Sequence, residues 1–266
     1  LIMTFIYCNS PVLSKAVLYQ DEDITGTVYK HVYISKILED KREVFVWLPT
    51  NYQKNTRYPL LVLHDGQNVF FPGASVSGNE WHLDESATDL LKSNNMNPII
   101  MVGVGNTKNR TVDYSPHLGG ANYGKALASE LIPILKTKYS INDNKIGTMG
   151  ASYGGLISLF LGWEMGSTFS MVACLSPAFQ YKDFNYIDSI KNQDLPKRLK
   201  IAVVNGTKDL DAELQPGVNK FIDMLKQKGF PNDDLMYWIA DGKSHTELDW
   251  ASQAKLILPW FFGFKK

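Results

Sequence analysis

The arrangement of polar and apolar positions changes character partway along the chain. At 43–48 it alternates, with Val44, Val46 and Leu48 on one side and Glu43, Phe45 and Trp47 on the other, the two-residue period of a strand. With the β-rich run 29–37 before it, this predicts a leading antiparallel strand pair. Beyond Pro59 the alternation stops. The runs 60–63, 99–104, 145–149, 169–175, 201–204 and 235–239 are short and mostly apolar, as strands are when a parallel sheet is covered on both faces. Between them lie helix-like segments at 83–91, 123–138, 155–163, 217–228 and 248–262. In the fourth of these, Val218, Phe221, Ile222 and Leu225 fall at i, i+3, i+4 and i+7, one stripe that can lie on a sheet. Strand and helix alternate, so the expected fold is α/β, a mostly parallel central sheet with right-handed crossovers and helices on both faces. Pro133, inside the second helical segment, predicts a kink or a late start there.

No repeat and no low-complexity block divides the chain, and one domain over 1–266 is expected, with 1–28 an irregular N-terminal segment. The apolar run 1–7 before Cys8 is too short to span a bilayer. It reads either as the trimmed end of a signal peptide or lipid anchor or as an edge strand, so cytoplasmic and exported locations both stay open. Of 266 residues 44% are hydrophobic and 20% charged, and 27 Lys+Arg balance 27 Asp+Glu. That is globular composition without the basic excess of a nucleic-acid binder. Two cysteines, Cys8 and Cys174, are too few for a disulfide framework or a four-ligand zinc site.

The strongest local signal is Gly150-Ala151-Ser152-Tyr153-Gly154-Gly155, a G-x-S-x-G between a predicted strand and a predicted helix. This is the setting of a nucleophile elbow, where a sharp turn exposes a serine and large neighbours would collide, so that Gly150 and Gly154 are the residue types that fit. A serine needs a base, and the base needs an orienting acid. His245 is the sole histidine after Ser152 and follows the last apolar strand. Asp209 comes first after the strand at 201–204 and its glycine, and is the expected acid, with Asp211 and Asp241 competing. In Leu63-His64-Asp65-Gly66-Gln67-Asn68 the chain leaves the first core strand, where a second oxyanion donor belongs. The backbone amides of Gln67 and Tyr153 are the expected pair, and Gly66 is expected to permit the turn. His64 and Asp65 read as a structural network, His31 as a strand surface residue, and His82 and His117 as loop residues bordering the site.

A metal is not expected: His64, Asp65, His82, Asp84, Glu85 and His117 lack the spacing of a ligand motif. Gly103 and Gly105 lack the third glycine of a dinucleotide fingerprint, because Lys108 stands there. No cofactor is expected.

The stretches Val46-Trp47-Leu48-Pro49, Leu61 to Asn68, Trp81-His82-Leu83-Asp84-Glu85, Gly150 to Gly155 and Gly242 to Trp250 together resemble the esterase family of α/β-hydrolases that includes enterochelin esterases and the feruloyl and acetylxylan esterases of carbohydrate esterase family one. The resemblance implies Ser152, Asp209 and His245 as a triad, oxyanion amides at Gln67 and Tyr153, and a small-molecule or oligosaccharide ester as substrate. Trp81, Asn106, Arg110 and Tyr114 are candidate substrate-facing residues, with loop packing as their competing role. The expected activity is a serine ester hydrolase acting on carbohydrate-linked acetyl or feruloyl esters. A siderophore esterase or general short-chain carboxylesterase is the alternative, and an inactive binding protein on the same fold is the reading from another class. The oligomeric state stays open.

Overall fold

The computed structural model describes residues 10–71, 73 and 78–264. The run 1–7 and Cys8 therefore lie outside the described residues. Among the described residues twelve strands occur in chain order: β1 (Val12–Leu13), β2 (Val17–Tyr19), β3 (Thr27–Ile34), β4 (Lys41–Leu48), β5 (Tyr58–His64), β6 (Ile100–Val104), β7 (Ile141–Ala151), β8 (Met171–Leu175), β9 (Gln180–Tyr181), β10 (Phe184–Asn185), β11 (Lys200–Gly206) and β12 (Leu235–Ala240). All but the β9–β10 hairpin join one sheet of order β1-β3-β4-β6-β5-β7-β8-β11-β12, with β2 also on β3. From β6 to β12 every pairing is parallel; from β1 to β4, and between β4 and β6, every pairing is antiparallel.

The sheet is covered on both faces, and its strands divide their side chains accordingly. Leu60 and Val62 enter one apolar cluster and Leu61 and Leu63 the other, which is why 60–63 reads as a continuous apolar run instead of an alternation. Among the described residues eight α-helices accompany the sheet: α1 (Leu83–Lys92), α2 (Arg110–Asp113), α3 (Gly120–Ala126), α4 (Ile132–Lys138), α5 (Tyr153–Glu164), α6 (Tyr186–Ile190), α7 (Leu210–Gln227) and α8 (Glu247–Phe262). Residues of α3, α4, α5 and α7 build the first cluster, and those of α1 and α8 the second. This is the α/β-hydrolase arrangement, and no helix among the described residues is long and apolar enough to cross a membrane.

Three local expectations change. The segment 1–28 is not wholly irregular, because β1 and β2 pair with β3. At Pro133 the helix changes type: a π-helical stretch at Leu127–Leu131 separates α3 from α4, and α4 starts anew with the proline in its first turn, the widened turn before it accommodating the amide that proline lacks. His31 is buried, not a surface residue. Its ring bonds the Ser14 carbonyl at 2.8 Å and the Tyr139 hydroxyl at 2.7 Å.

Strand order reverses between β5 and β7, since β6 lies outside β5 while β8, β11 and β12 follow beyond β7. Loops leaving adjacent strands at such a switch point diverge and open a crevice at the carboxyl ends. The candidate oxyanion loop leaves β5, and the G-x-S-x-G leaves β7.

Candidate active site

Ser152 stands between β7 and α5 with φ 58° and ψ −123°, a strained backbone that thrusts the side chain out of the turn. The turn is fastened from both sides. The Ser152 amide donates to the Leu175 carbonyl at 3.0 Å, and the Ser152 carbonyl accepts from Gly155, Leu156 and Ala178. A Cβ on Gly150 would lie 2.5 Å from the Gly154 carbonyl carbon, so that glycine is a steric necessity. A Cβ on Gly154 would meet nothing closer than His64 Cβ at 3.4 Å, and the two glycines of the motif are not equally required.

The candidate base and the carboxylate beside it come from two stitched loops. His245 Nδ1 lies 2.6 Å from Asp211 Oδ1, leaving Nε2 for the cleft. Asp211 is fully buried, in the first turn of α7, where the helix N-terminus favours a carboxylate. Its Oδ2 accepts from the Gly206 amide at 2.9 Å and the Ser176 hydroxyl at 2.7 Å. The indole of Trp250 donates to Ser176 Oγ at 3.0 Å. Because an indole N–H can only donate, the serine proton must point at Asp211. Trp250 also meets the His245 ring edge-on, with centroids 4.9 Å apart. The Lys243 carbonyl accepts from the amides of Thr207 and Lys208, tying the loop after β12 to the loop after β11.

The structure sets Asp211, and not the expected Asp209, beside the imidazole. Asp209 is exposed, with φ 51° at the N-terminal boundary of α7, and its carboxylate has no hydrogen-bond partner among the described residues. Two residues further on, Asp211 points inward to the imidazole. Asp241, the other competitor, is exposed and accepts from the Thr207 hydroxyl at 3.2 Å.

The loop after β5 is held by a buried network. Asp65 takes the left-handed conformation, φ 55°, and its carboxylate accepts from Arg110 Nε at 2.7 Å, Arg110 Nη2 at 2.8 Å and Asn106 Nδ2 at 2.6 Å. Gly66 serves differently from expectation: it lacks a positive φ, but a Cβ there would stand 2.3 Å from the Gly103 carbonyl carbon of β6. Gln67 turns its side chain aside, Oε1 accepting from the Asn106 amide at 3.2 Å. The Gln67 and Tyr153 amides donate no hydrogen bond among the described residues, as an oxyanion site requires.

His64 is structural in its contacts. It is buried between Thr148 Oγ1 at 2.8 Å and the Tyr123 hydroxyl at 3.0 Å. Burial pushes its pKa down to about 3, with Asp65 opposing and Arg110 adding to the drop. The unfolded chain therefore binds a proton that the folded one refuses, so this contribution to stability is complete above about 6.5 and is lost as pH falls toward 3. Urea titrations between pH 6.5 and 5 are expected to show stability falling by up to about 1.4 kcal/mol per pH unit from this one group, with a shallower fall in His64→Gln. Equal slopes in the two proteins would remove His64 as the cause.

Ser152, His245, Gln67, Trp81, Asn106 and Arg110 share one cleft of about 240 Å³. Among the described residues no hydrogen bond joins Ser152 Oγ to the imidazole, a spacing that free hydrolases commonly tighten only with substrate bound. Tyr114 does not reach the cleft: it is fully buried and its hydroxyl accepts from the Asp65 amide at 3.0 Å. The side chain of Tyr153 packs against the core. His82 precedes α1, and His117 stacks on Phe184 at 4.1 Å; neither lines the cleft. The sequence pattern ranks Asp211 only as a competitor of Asp209 for the place beside the histidine, and gives no sign of the parts that Ser176 and Trp250 play there. Ser176 has φ 42° at the end of β8, but a Leu-Ser-Pro stretch announces no such role.

The comparisons agree with this geometry. Residues 35–253 match the family described as "Putative esterase". The uncharacterized protein YjcH of Bacillus subtilis is 26% identical over 246 residues, covering 88% of this chain and 95% of that one. Among solved structures, a ferulic acid esterase superposes with a TM-score of 0.72 at 21% identity, over 88% of this chain and 97% of its own. The enterobactin esterase of Shigella flexneri, crystallised with enterobactin, gives 0.71 at 17% identity, over 90% of this chain and 59% of its own.

Proposed function

Since the chain belongs to this esterase family and is an esterase on the α/β-hydrolase fold, we propose that it is a serine carboxylic ester hydrolase that works through an acyl-enzyme, with Ser152 as nucleophile, His245 as base and Asp211, in place of Asp209, as the orienting acid. The observation that carries this reading is the 2.6 Å contact of His245 Nδ1 with the buried Asp211, which sets the tautomer and aims Nε2 at the cleft that Ser152 enters. Ser152 Oγ attacks the ester carbonyl while His245 Nε2 takes its proton. The tetrahedral oxyanion is held by the Gln67 and Tyr153 amides. His245 then returns the proton to the departing alcohol, leaving the acyl group on Ser152, and water repeats the cycle to release the acid. Asp211 holds the imidazole in place and stabilises the imidazolium that forms.

The substrate class follows from the cleft. At about 240 Å³ it is smaller than pockets that enclose drug-sized ligands, roughly 300–1,000 Å³, which favours a short acyl group with the alcohol outside. Trp81 and Trp250 supply an apolar wall, and Asn68 and Glu247 polar edges of the kind a sugar hydroxyl can use. Carbohydrate-linked acetyl esters are therefore the leading substrates, ahead of feruloyl esters. A catecholate trilactone fits less well, because Arg110, the one arginine lining the cleft among the described residues, already spends two nitrogens on Asp65. Measured on acetylated xylan, methyl ferulate and a catecholate trilactone, kcat/KM is expected to favour the acetyl ester by about tenfold or more, or about 1.4 kcal/mol. A preference for the trilactone would overturn the substrate reading and leave the serine mechanism standing.

A further inference from the structure

A second cluster of chemistry-bearing side chains sits where the chain enters α1, outside the set that performs the proposed hydrolysis. His82 Nδ1 lies 3.4 Å from Glu80 Oε1 and 3.5 Å from Glu85 Oε1, and one donor atom from each residue falls within 4.8 Å of the others. Glu80 is 1% exposed, yet neither of its carboxylate oxygens has a hydrogen-bond partner among the described residues. Buried carboxylates are ordinarily hydrogen-bonded, paired or bound to a metal. Here the neighbouring charges make matters worse. Those acting most strongly on Glu80 are the carboxylates of Glu85, Asp23 and Asp21, and on Asp84 those of Glu85 and Glu80.

We propose that Glu80, His82 and Glu85 form a binding site for a borderline first-row divalent cation of the Zn2+ type, held by one oxygen of each glutamate and by His82 Nδ1. The spacing suits it: bonds of about 2.1 Å in a tetrahedron place neighbouring ligands about 3.4 Å apart, close to the two distances found at His82. An imidazole among the donors, and only a few ligands, favour this ion over Ca2+ or Mg2+, which take six or more oxygens. His82 is half-exposed, so the ion has a route in, and water completes its coordination. Sequence spacing conceals the site because the residue that completes it is Glu80, which belongs to no metal motif. The neighbouring Trp81 lines the substrate cleft and donates its amide to the Asn68 carbonyl at 3.0 Å, so a bound ion would brace one wall of that cleft.

The test is calorimetric titration of the chelator-stripped full chain with ZnCl2, alongside thermal unfolding. One saturable Zn2+ per chain is expected, with a rise in Tm, because an ion that binds only the folded state stabilises it. Glu80→Gln and Glu85→Gln are expected each to weaken binding at least about tenfold, while His245→Ala keeps it. Without metal, Glu80→Gln is expected to unfold cooperatively at a Tm no lower than wild type, since the amide keeps the shape of a buried carboxyl group that already lacks a partner among the described residues. Binding that persists in Glu80→Gln, disappears in His245→Ala, favours Ca2+ over Zn2+, or fails to appear at about 1 mM metal would overturn the proposal. None of these outcomes bears on the serine mechanism, which is read separately.

Discussion

Ser152→Ala is expected to lower kcat on a chromogenic acetyl ester by at least about 10³-fold, more than 4 kcal/mol of barrier, while leaving the fold and substrate binding close to wild type. The size of the effect follows from what one atom does: without Oγ no acyl-enzyme forms, and the amides of Gln67 and Tyr153 are left to assist direct attack by water. Stability should change little, because Ser152 Oγ makes no hydrogen bond among the described residues and the turn is held by its backbone. Circular dichroism and a thermal melt separate loss of chemistry from loss of fold. Activity within tenfold of wild type in a folded variant would end the nucleophile assignment. A fluorophosphonate probe supplies the independent reading, since it should label wild type at Ser152 and leave the alanine variant untouched.

Asp211→Asn carries the second large effect, a loss of about 10³ to 10⁴ in kcat, against a change of less than about threefold for Asp209→Asn, an exposed substitution away from any contact. The asparagine nearly preserves shape but removes the charge. It also forces a choice: Oδ2 of Asp211 accepts from Gly206 and Ser176 while Oδ1 faces His245. An amide that keeps its oxygen toward the two donors must present its nitrogen to the imidazole. His245 Nδ1 then has to accept, its proton moves to Nε2, and the base can no longer take the serine proton. Trp250 reinforces the discrimination by preventing the Ser176 hydroxyl from turning round. Steady-state kinetics of the two variants decide the matter: a greater loss in Asp209→Asn would return the acid role to the residue that chain order alone selects.

The two aspartates show where legibility ends. Asp209 and Asp211 both follow the glycine that closes β11, and their side chains are identical, so local pattern ranks them by order only. Their fates separate because Asp209 occupies the exposed boundary of α7 while Asp211 lies in its first turn, turned toward β8 and the loop after β12. Which face of that turn looks inward depends on how α7 settles on the sheet, a matter of packing between segments far apart in sequence. Tyr114 and His31 carry the same lesson. Each is polar enough to read as exposed, and each is buried because a distant partner, the Asp65 amide for one and the Tyr139 hydroxyl for the other, satisfies its polar atoms. Glu80 is the converse case, a residue with no motif around it that the entry to α1 sets beside His82 and Glu85.

By itself the sequence determined the α/β architecture, the elbow at Ser152, the loop bearing Gln67 and the candidate histidine after the last strand, because each is written in a continuous stretch: a buried strand is a short apolar run, and a strained turn demands a small residue at Gly150 whatever surrounds it. Only the tertiary structure decided which aspartate meets His245, that Ser176 and Trp250 stand behind that contact, and that buried carboxylates gather at residues 80–85. Those outcomes depend on the burial and facing of side chains brought together from separate loops, and burial belongs to the packed chain as a whole, not to any one segment of it.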